Sequence, residues 1–235
     1  MSLVTDIRHF PDTRWPVEAS VLLQQQIDAF SRCEGDCSVM LTGGRNAKLL
    51  FEAWSQIPSF RRLQNVAFYF GDERCVPPDD PDSNYGMTMS NLFGAGVPRS
   101  CTVYRMEAES DDLDAAANHY AAMLPKSIDI LLLGLGDDGH IASLFPGSTA
   151  LHENERRIVP IIGPKKPYRR LTITPRVILE ARSVYVLAAG AEKASVLAEA
   201  RRQPTNIDDL PARLVIGRTW LTDMTWNPPT CCSAG

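Results

Sequence analysis

Ser127–Gly147 reads SIDILLLGLGDDGHIASLFPG, and the fold class follows from this stretch. Ile130–Leu133 is an unbroken apolar run, the pattern of a strand covered on both faces. It passes straight into Gly134-Leu135-Gly136-Asp137-Asp138-Gly139-His140. The glycines free the backbone to turn sharply where the strand stops, and two carboxylates and an imidazole arrive at the turn. Ligands of open α/β sheets bind in the crevice beyond the carboxyl ends of the strands. A histidine delivered there is a candidate proton carrier.

On either side of this stretch, helical and strand signals alternate. Pro16 suits a helix start, and Val17–Arg32 carries apolar residues at helical spacing. Cys37–Leu41 reads as a short buried strand closing on Thr42-Gly43-Gly44, with a helix over Ala47–Ile57 stopped by Pro58. Val66–Phe70 is a strand ending in Gly71-Asp72-Glu73-Arg74, followed by a polar loop over Val76–Asn84. Helices are predicted over Tyr85–Phe93 and Asp111–Leu124, with a strand over Thr102–Arg105 between them. Beyond His140 a helix cut short by Pro146 is expected, then strands over Ile158–Ile162 and Leu171–Thr174 around a Lys/Pro-rich turn. Ser183–Ala188 reads as a buried strand, leading through Gly190 to a helix ending near Arg202. A helical turn over Pro211–Val215 and an edge strand over Thr219–Leu221 complete the pattern, and the tail from Asn227 is expected to be disordered. Such alternation implies a mostly parallel central sheet with helices on both faces, a Rossmann-like α/β arrangement. No linker or repeat divides the chain, so residues 1–235 read as a single α/β domain.

Composition narrows the function. The 235 residues suffice for a sizeable core. With 24 basic and 28 acidic side chains the net charge is −4, which argues against nucleic-acid binding through bulk positive charge. No apolar run approaches the roughly 20 residues that span a bilayer, and the N-terminus lacks the apolar segment of a signal peptide. No membrane partner and a cytoplasmic location are therefore expected. Six cysteines include no C-x-x-C pair and have no histidine at zinc-site spacing, so free thiols are expected and no metal. The sequence leaves the oligomeric state open, with a monomer the simpler expectation.

Parallel strands place their carboxyl ends on one edge, so several loops can share a crevice. Thr42-Gly43-Gly44-Arg45 is a strand–turn–helix junction whose free N–H groups and helix dipole favour an anion. Arg74, Arg170 and Lys193 could add charge-assisted bonds to a phosphate or carboxylate, although each taken alone also fits a solvated surface cation. Gly134, Gly136 and Gly139 satisfy G-x-G-x-x-G, but a dinucleotide site is rejected. Asp137 and Asp138 stand where a pyrophosphate needs neutral donors, and the strand over Ile158–Ile162 ends without a ribose-binding acid. There is no P-loop, H-E-x-x-H or G-x-S-x-G. Ser143 lacks the setting that exposes a nucleophile and reads as a buried capping residue. His9, His119 and His152 read as surface or structural. General acid–base chemistry remains, and an imidazole at His140 can take a proton from water and return it to a leaving oxygen.

Three stretches carry a resemblance. GLGDDGHIASLFPG (134–147), YFGDERCVPPDDPDSNYGM (69–87) and the Gly43-Gly44 turn resemble signatures of the glucosamine-6-phosphate isomerase/6-phosphogluconolactonase family, and the likeness runs from about Pro16 to Trp220. The resemblance implies a phosphosugar-isomerase-like fold, no cofactor, and hydrolysis of 6-phospho-D-glucono-1,5-lactone to 6-phosphogluconate in the oxidative pentose phosphate pathway. It implies that His140 activates water with Asp138 in support, and that no metal or covalent intermediate is needed. It further implies that Arg74, Arg170, Lys193 and the Thr42-Gly43-Gly44 backbone hold the sugar-phosphate lactone, with Asp72 on the sugar hydroxyls. The family usually continues its Gly-Gly turn with Ser-Thr-Pro. Here Arg45-Asn46-Ala47 stand instead, and Arg45 is a candidate anion ligand whose role the sequence leaves open. Two rival readings are a glucosamine-6-phosphate deaminase/isomerase and a catalytically dead sugar-phosphate sensor. The first would carry a glutamate just after the histidine motif, where Ala142-Ser143-Leu144-Phe145 stand. The second could dispense with His140.

Overall fold

A computed structural model describes residues 5–10, 12–202 and 205–224. Its chain order is β1 (Asp6–His9), α1 (Trp15–Glu34), β2 (Cys37–Leu41), α2 (Arg45–Ser55), β3 (Gln64–Phe70), β4 (Asp72–Arg74), α3 (Asn84–Asn91), β5 (Ser100–Val103), α4 (Leu113–Met123) and β6 (Ile130–Gly134). There follow β7 (Ile158–Ile162), β8 (Arg169–Ile173), α5 (Pro175–Glu180), β9 (Ser183–Leu187), α6 (Ala191–Arg202) and β10 (Thr219–Thr222). Seven strands form one sheet in the order β1-β10-β9-β6-β2-β3-β5, and every pairing in it is parallel. β4, β8 and β7 form a second, antiparallel sheet.

The central strands are apolar throughout because both faces are covered, and the period of two sorts their side chains. Val39, Leu41, Ile130 and Leu132 pack with Leu50, Phe51 and Trp54 of α2 on one face. Met40, Leu131 and Leu133 pack on the other face with Tyr120 of α4, Leu197 of α6 and the inner side of the second sheet. From β2 the chain steps outward through β3 to β5; from β6 it steps the other way through β9 to β10. The strand order therefore reverses between β2 and β6, and that switch point is where an open α/β sheet leaves a crevice.

Several expectations change. Asp72-Glu73-Arg74 is not a loop but a strand, held by antiparallel pairing that sets Arg74 opposite Arg170. β10 is not an edge, because β1 pairs outside it. No helix follows His140: Ile141 bridges to both Leu135 and Leu144, folding the segment into turns. The strand expected over Thr102–Arg105 lies at Ser100–Val103, and α5 is a short helix that the sequence pattern does not signal. Cys33, Cys37, Cys75 and Cys101 are free thiols. Among the described residues no helix is long and apolar enough to cross a membrane. The tail from Asn227, with Cys231 and Cys232, lies outside the described residues.

Candidate active site

A cavity of about 370 Å³ opens at the switch point. The turn after β2 forms one wall. The Thr42 hydroxyl accepts from the Gly134 N–H at 3.0 Å and ties the ends of β2 and β6 together. Gly43 must lack a side chain, since a Cβ would overlap the Asn84 carboxamide. Gly44 turns the chain at φ +91° into α2, whose first turn receives no side-chain cap. Its free N–H groups and the positive end of its dipole lie at the cavity mouth.

The turn after β6 carries the titratable groups. Gly139 adopts φ +79°, and the Gly136 N–H donates to the His140 carbonyl at 2.9 Å, which folds the loop back on itself. This brings the His140 Nδ1 to 2.5 Å from the Asp138 Oδ1, an oxygen that also accepts from the His140 backbone N–H at 3.2 Å. The imidazole hydrogen bond holds the Asp138 carboxyl well below the ordinary carboxylate range; burial opposes it, and the His140 backbone N–H and the Lys165 ammonium reinforce it. An ionised carboxylate facing Nδ1 keeps the proton there and leaves Nε2 as the basic nitrogen. Phe145 packs on the ring with centroids 4.6 Å apart. His140 lines the cavity, while Asp138 stands behind it.

The second sheet supplies the opposite wall. Arg170 is only 6% exposed. Its Nε donates to the Pro167 carbonyl at 3.0 Å and its Nη1 to the Ser143 hydroxyl at 3.4 Å. Burial, and then the charge of Arg74, lower its pKa. The Arg74 Nη1 donates to the Asp82 carbonyl at 2.6 Å, and its buried Nε has no hydrogen-bond partner. Ser143 is buried as expected but caps nothing. Its hydroxyl donates to the Asp72 Oδ2 at 2.6 Å, linking Asp72 to Arg170. Asn84 donates to the Asp72 carbonyl and Oδ1 at 2.9 and 3.2 Å. Behind them, Glu73 accepts from the backbone N–H groups of Arg74, Asn84 and Tyr85 and from the Ser83 hydroxyl. Burial pushes the Glu73 carboxyl up, and those backbone donors pull against it.

α6 closes the ring. Lys193 pairs with Asp137, and Glu192 pairs with Arg45 across the end of β6. Asn46 donates to the Ala189 carbonyl at 2.8 Å and fastens the same two loops. Every candidate residue from the sequence lines this one cavity except Asp138, which touches it through His140. Sequence reasoning missed Asn84, Glu192 and Lys165 on the wall. Lys165 left a signal as a cation in the Lys/Pro-rich turn, and Asn84 lies inside the 69–87 signature. Among the described residues no group of three or more His, Cys, Asp or Glu could hold a metal ion.

Fold and site together define an α/β enzyme with an imidazole–carboxylate pair set in a cation-rimmed crevice at the sheet's switch point. The chain belongs to the family of glucosamine-6-phosphate isomerases/6-phosphogluconolactonase, which matches residues 17–226. It is 36% identical over 227 residues to a 6-phosphogluconolactonase of Streptomyces coelicolor, covering 87% of this chain and 86% of that one. It is 34% identical over 239 residues to a 6-phosphogluconolactonase of Mycobacterium tuberculosis, covering 93% and 96%. A solved 6-phosphogluconolactonase from Trypanosoma brucei matches with a TM-score of 0.77 at 27% identity, covering 94% of this chain and 97% of that one.

Proposed function

We propose that this chain, as one α/β domain, hydrolyses 6-phospho-D-glucono-1,5-lactone to 6-phosphogluconate, with His140 as general base. The observation that carries this is the His140–Asp138 pair, 2.5 Å apart, opening on the same cavity as Arg74 and Arg170. Nε2 takes a proton from water as the water oxygen bonds to the lactone carbonyl carbon. Negative charge then grows on the carbonyl oxygen, where cations and N–H groups of the cavity stabilise it. As that charge returns, the bond from carbon to the ring oxygen breaks, and the imidazolium gives its proton to the departing oxygen. Water enters, one carboxylic acid and one hydroxyl result, and neither a metal nor a covalent intermediate is required.

Arg74 and Arg170 hold the phosphate, with Lys193 and the Thr42-Gly43-Gly44 backbone orienting the lactone and Asp72 on a sugar hydroxyl. Deamination is disfavoured because Ala142, Ser143 and Leu144 present no carboxylate beside His140. The free thiols and the sugar-phosphate substrate support a cytoplasmic enzyme. The test is a coupled assay of 6-phosphogluconate release from freshly made lactone, measured over spontaneous opening. We expect turnover well above the blank, no release of ammonia from glucosamine 6-phosphate, and a drop of about 10²–10⁴-fold in His140→Ala. Turnover at the blank rate in the folded wild-type protein refutes the assignment, and unchanged turnover in His140→Ala removes that residue from the chemistry.

A further inference from the structure

The turn between β7 and β8 (residues 163–168, GPKKPY) reaches back over the cavity. The Gly163 N–H donates to the Tyr168 carbonyl at 2.6 Å and closes the hairpin. Arg170 fixes its position from beneath, donating to the Pro167 carbonyl at 3.0 Å and to the Lys165 carbonyl at 3.4 Å. With its backbone anchored in this way, Lys165 returns its side chain to the cavity wall, where Nζ lies 3.9 Å from the Asp138 Oδ2. The other oxygen of that carboxylate holds the imidazole.

We propose that Lys165 is a positioning residue for the His140–Asp138 pair: it shares Asp138 with the imidazole and so sets how firmly the pair holds a proton. This rests on His140 being the base. An ammonium on Oδ2 draws on the carboxylate's negative charge and repels a protonated ring, so both effects favour the unprotonated Nε2. The base therefore stays available at lower pH than it would without Lys165.

Other charges face the pair, and each has its own fixed partner. On the same loop Asp137 is paired with Lys193 of α6. From β8, Arg170 stands over the Phe145 ring at 5.4 Å and bonds the hairpin carbonyls. Across the cavity on β4, Asp72 is bonded to Ser143 and Asn84, and Arg74 to the Asp82 carbonyl. Arg45 of α2 is paired with Glu192 of α6 at the mouth. Lys165 is the cation whose ion pair is made to Asp138 itself, and its side chain is 63% exposed. Solvent screens such a charge, which sets the size of the effect at about half a pH unit.

The experiment is the acid limb of kcat/KM against pH for the wild type, Lys165→Met and Lys165→Arg, each at low and high salt. The limb is expected about half a unit higher in Lys165→Met and in place in Lys165→Arg. Added salt should move the wild-type limb towards that of Lys165→Met and move the variant's limb less. An active Lys165→Met whose limb stays put overturns the proposal, whether its KM rises (a substrate ligand only) or its activity falls evenly across pH (a hairpin support only). His140→Asn separates the two levels. If it keeps full turnover, the base assignment fails; if it loses turnover while the Lys165→Met limb is unmoved, only the role of Lys165 fails.

Discussion

Gly136→Ala adds one methyl group behind the His140–Asp138 pair. The new Cβ would overlap Nδ1 and Cε1 of the His140 ring and press on the Asp138 Oδ1. Gly136 does not have a left-handed backbone conformation, so the main chain itself accepts alanine. The strain falls on the ring, which is packed against Phe145 and must swing off Asp138 or push the loop outward. Overpacking of this kind costs about 1–3 kcal/mol. In a chain of this length that is about 2–12 °C in Tm, so the fold should survive. Catalysis should not survive as well. A displacement of about 1 Å costs about 10²-fold, and losing the oriented base altogether costs up to about 10⁴-fold. The expected result is a fall in kcat within that range in the coupled lactone assay, with 6-phosphogluconate binding kept in calorimetry. A folded Gly136→Ala protein with wild-type kcat would refute the claim that the Nδ1–Asp138 contact orients the base.

Glu73→Gln replaces an oxygen that accepts N–H or O–H groups by an NH2 that confronts them. A loss of about 2–3 kcal/mol follows, about 4–12 °C in Tm by calorimetry, together with weaker product binding as Arg74 and Asn84 loosen. The pH dependence of stability should report Asp138. Its folded-state pKa is depressed, so its contribution is present above the unfolded value of about 3.9 and is lost as pH falls through the folded value. The Tm difference between wild type and Asp138→Asn should therefore shrink below about pH 4. A difference that persists unchanged in strong acid would deny the carboxylate–imidazole bond its stabilising role.

What the sequence discloses depends on where the stabilising interactions lie. β2 and β6 are readable to within a residue because an apolar run buried on both faces has few other uses. β4 is hidden because its residues are Asp, Glu and Arg, and the chain pairs them only through contacts far away in sequence: Thr172, Leu171 and Arg170. β1 is polar and short, and it is a strand only because β10 lies beside it. The segment after His140 has the composition of a helix. Ile141 instead fills the core between Leu135 and Leu144, a tertiary preference that overrides local propensity. The same holds in the site. His140, Asp138 and the Gly-Gly turn are local motifs and could be read directly. Asn84 and Ser143 matter only because folding carries them to Asp72.

The cations of the cavity divide by partner, and the division bears on the proposal that Arg74 and Arg170 hold the phosphate. Arg45, Lys193 and Lys165 each stand against a carboxylate, those of Glu192, Asp137 and Asp138. Arg74 and Arg170 instead take carbonyl and hydroxyl partners, and β4 and β8 set them directly opposite each other. Like charges so placed repel, and burial of Arg170 strengthens the repulsion by removing water. The Asp82 carbonyl holds the Arg74 guanidinium, and the hairpin carbonyls of Pro167 and Lys165 hold that of Arg170. A phosphate dianion bound between them would relieve that repulsion. Arg74→Ala should therefore weaken 6-phosphogluconate binding by about 10–100-fold, the worth of a charge-assisted bond, and leave binding of unphosphorylated gluconate almost unchanged. Arg45→Ala, which frees only an exposed ion pair, should change the phosphorylated ligand's affinity by less than about 5-fold. Calorimetry on both variants decides it: a larger loss in Arg45→Ala than in Arg74→Ala would mean that the phosphate sits at the mouth by α2 rather than between the arginines.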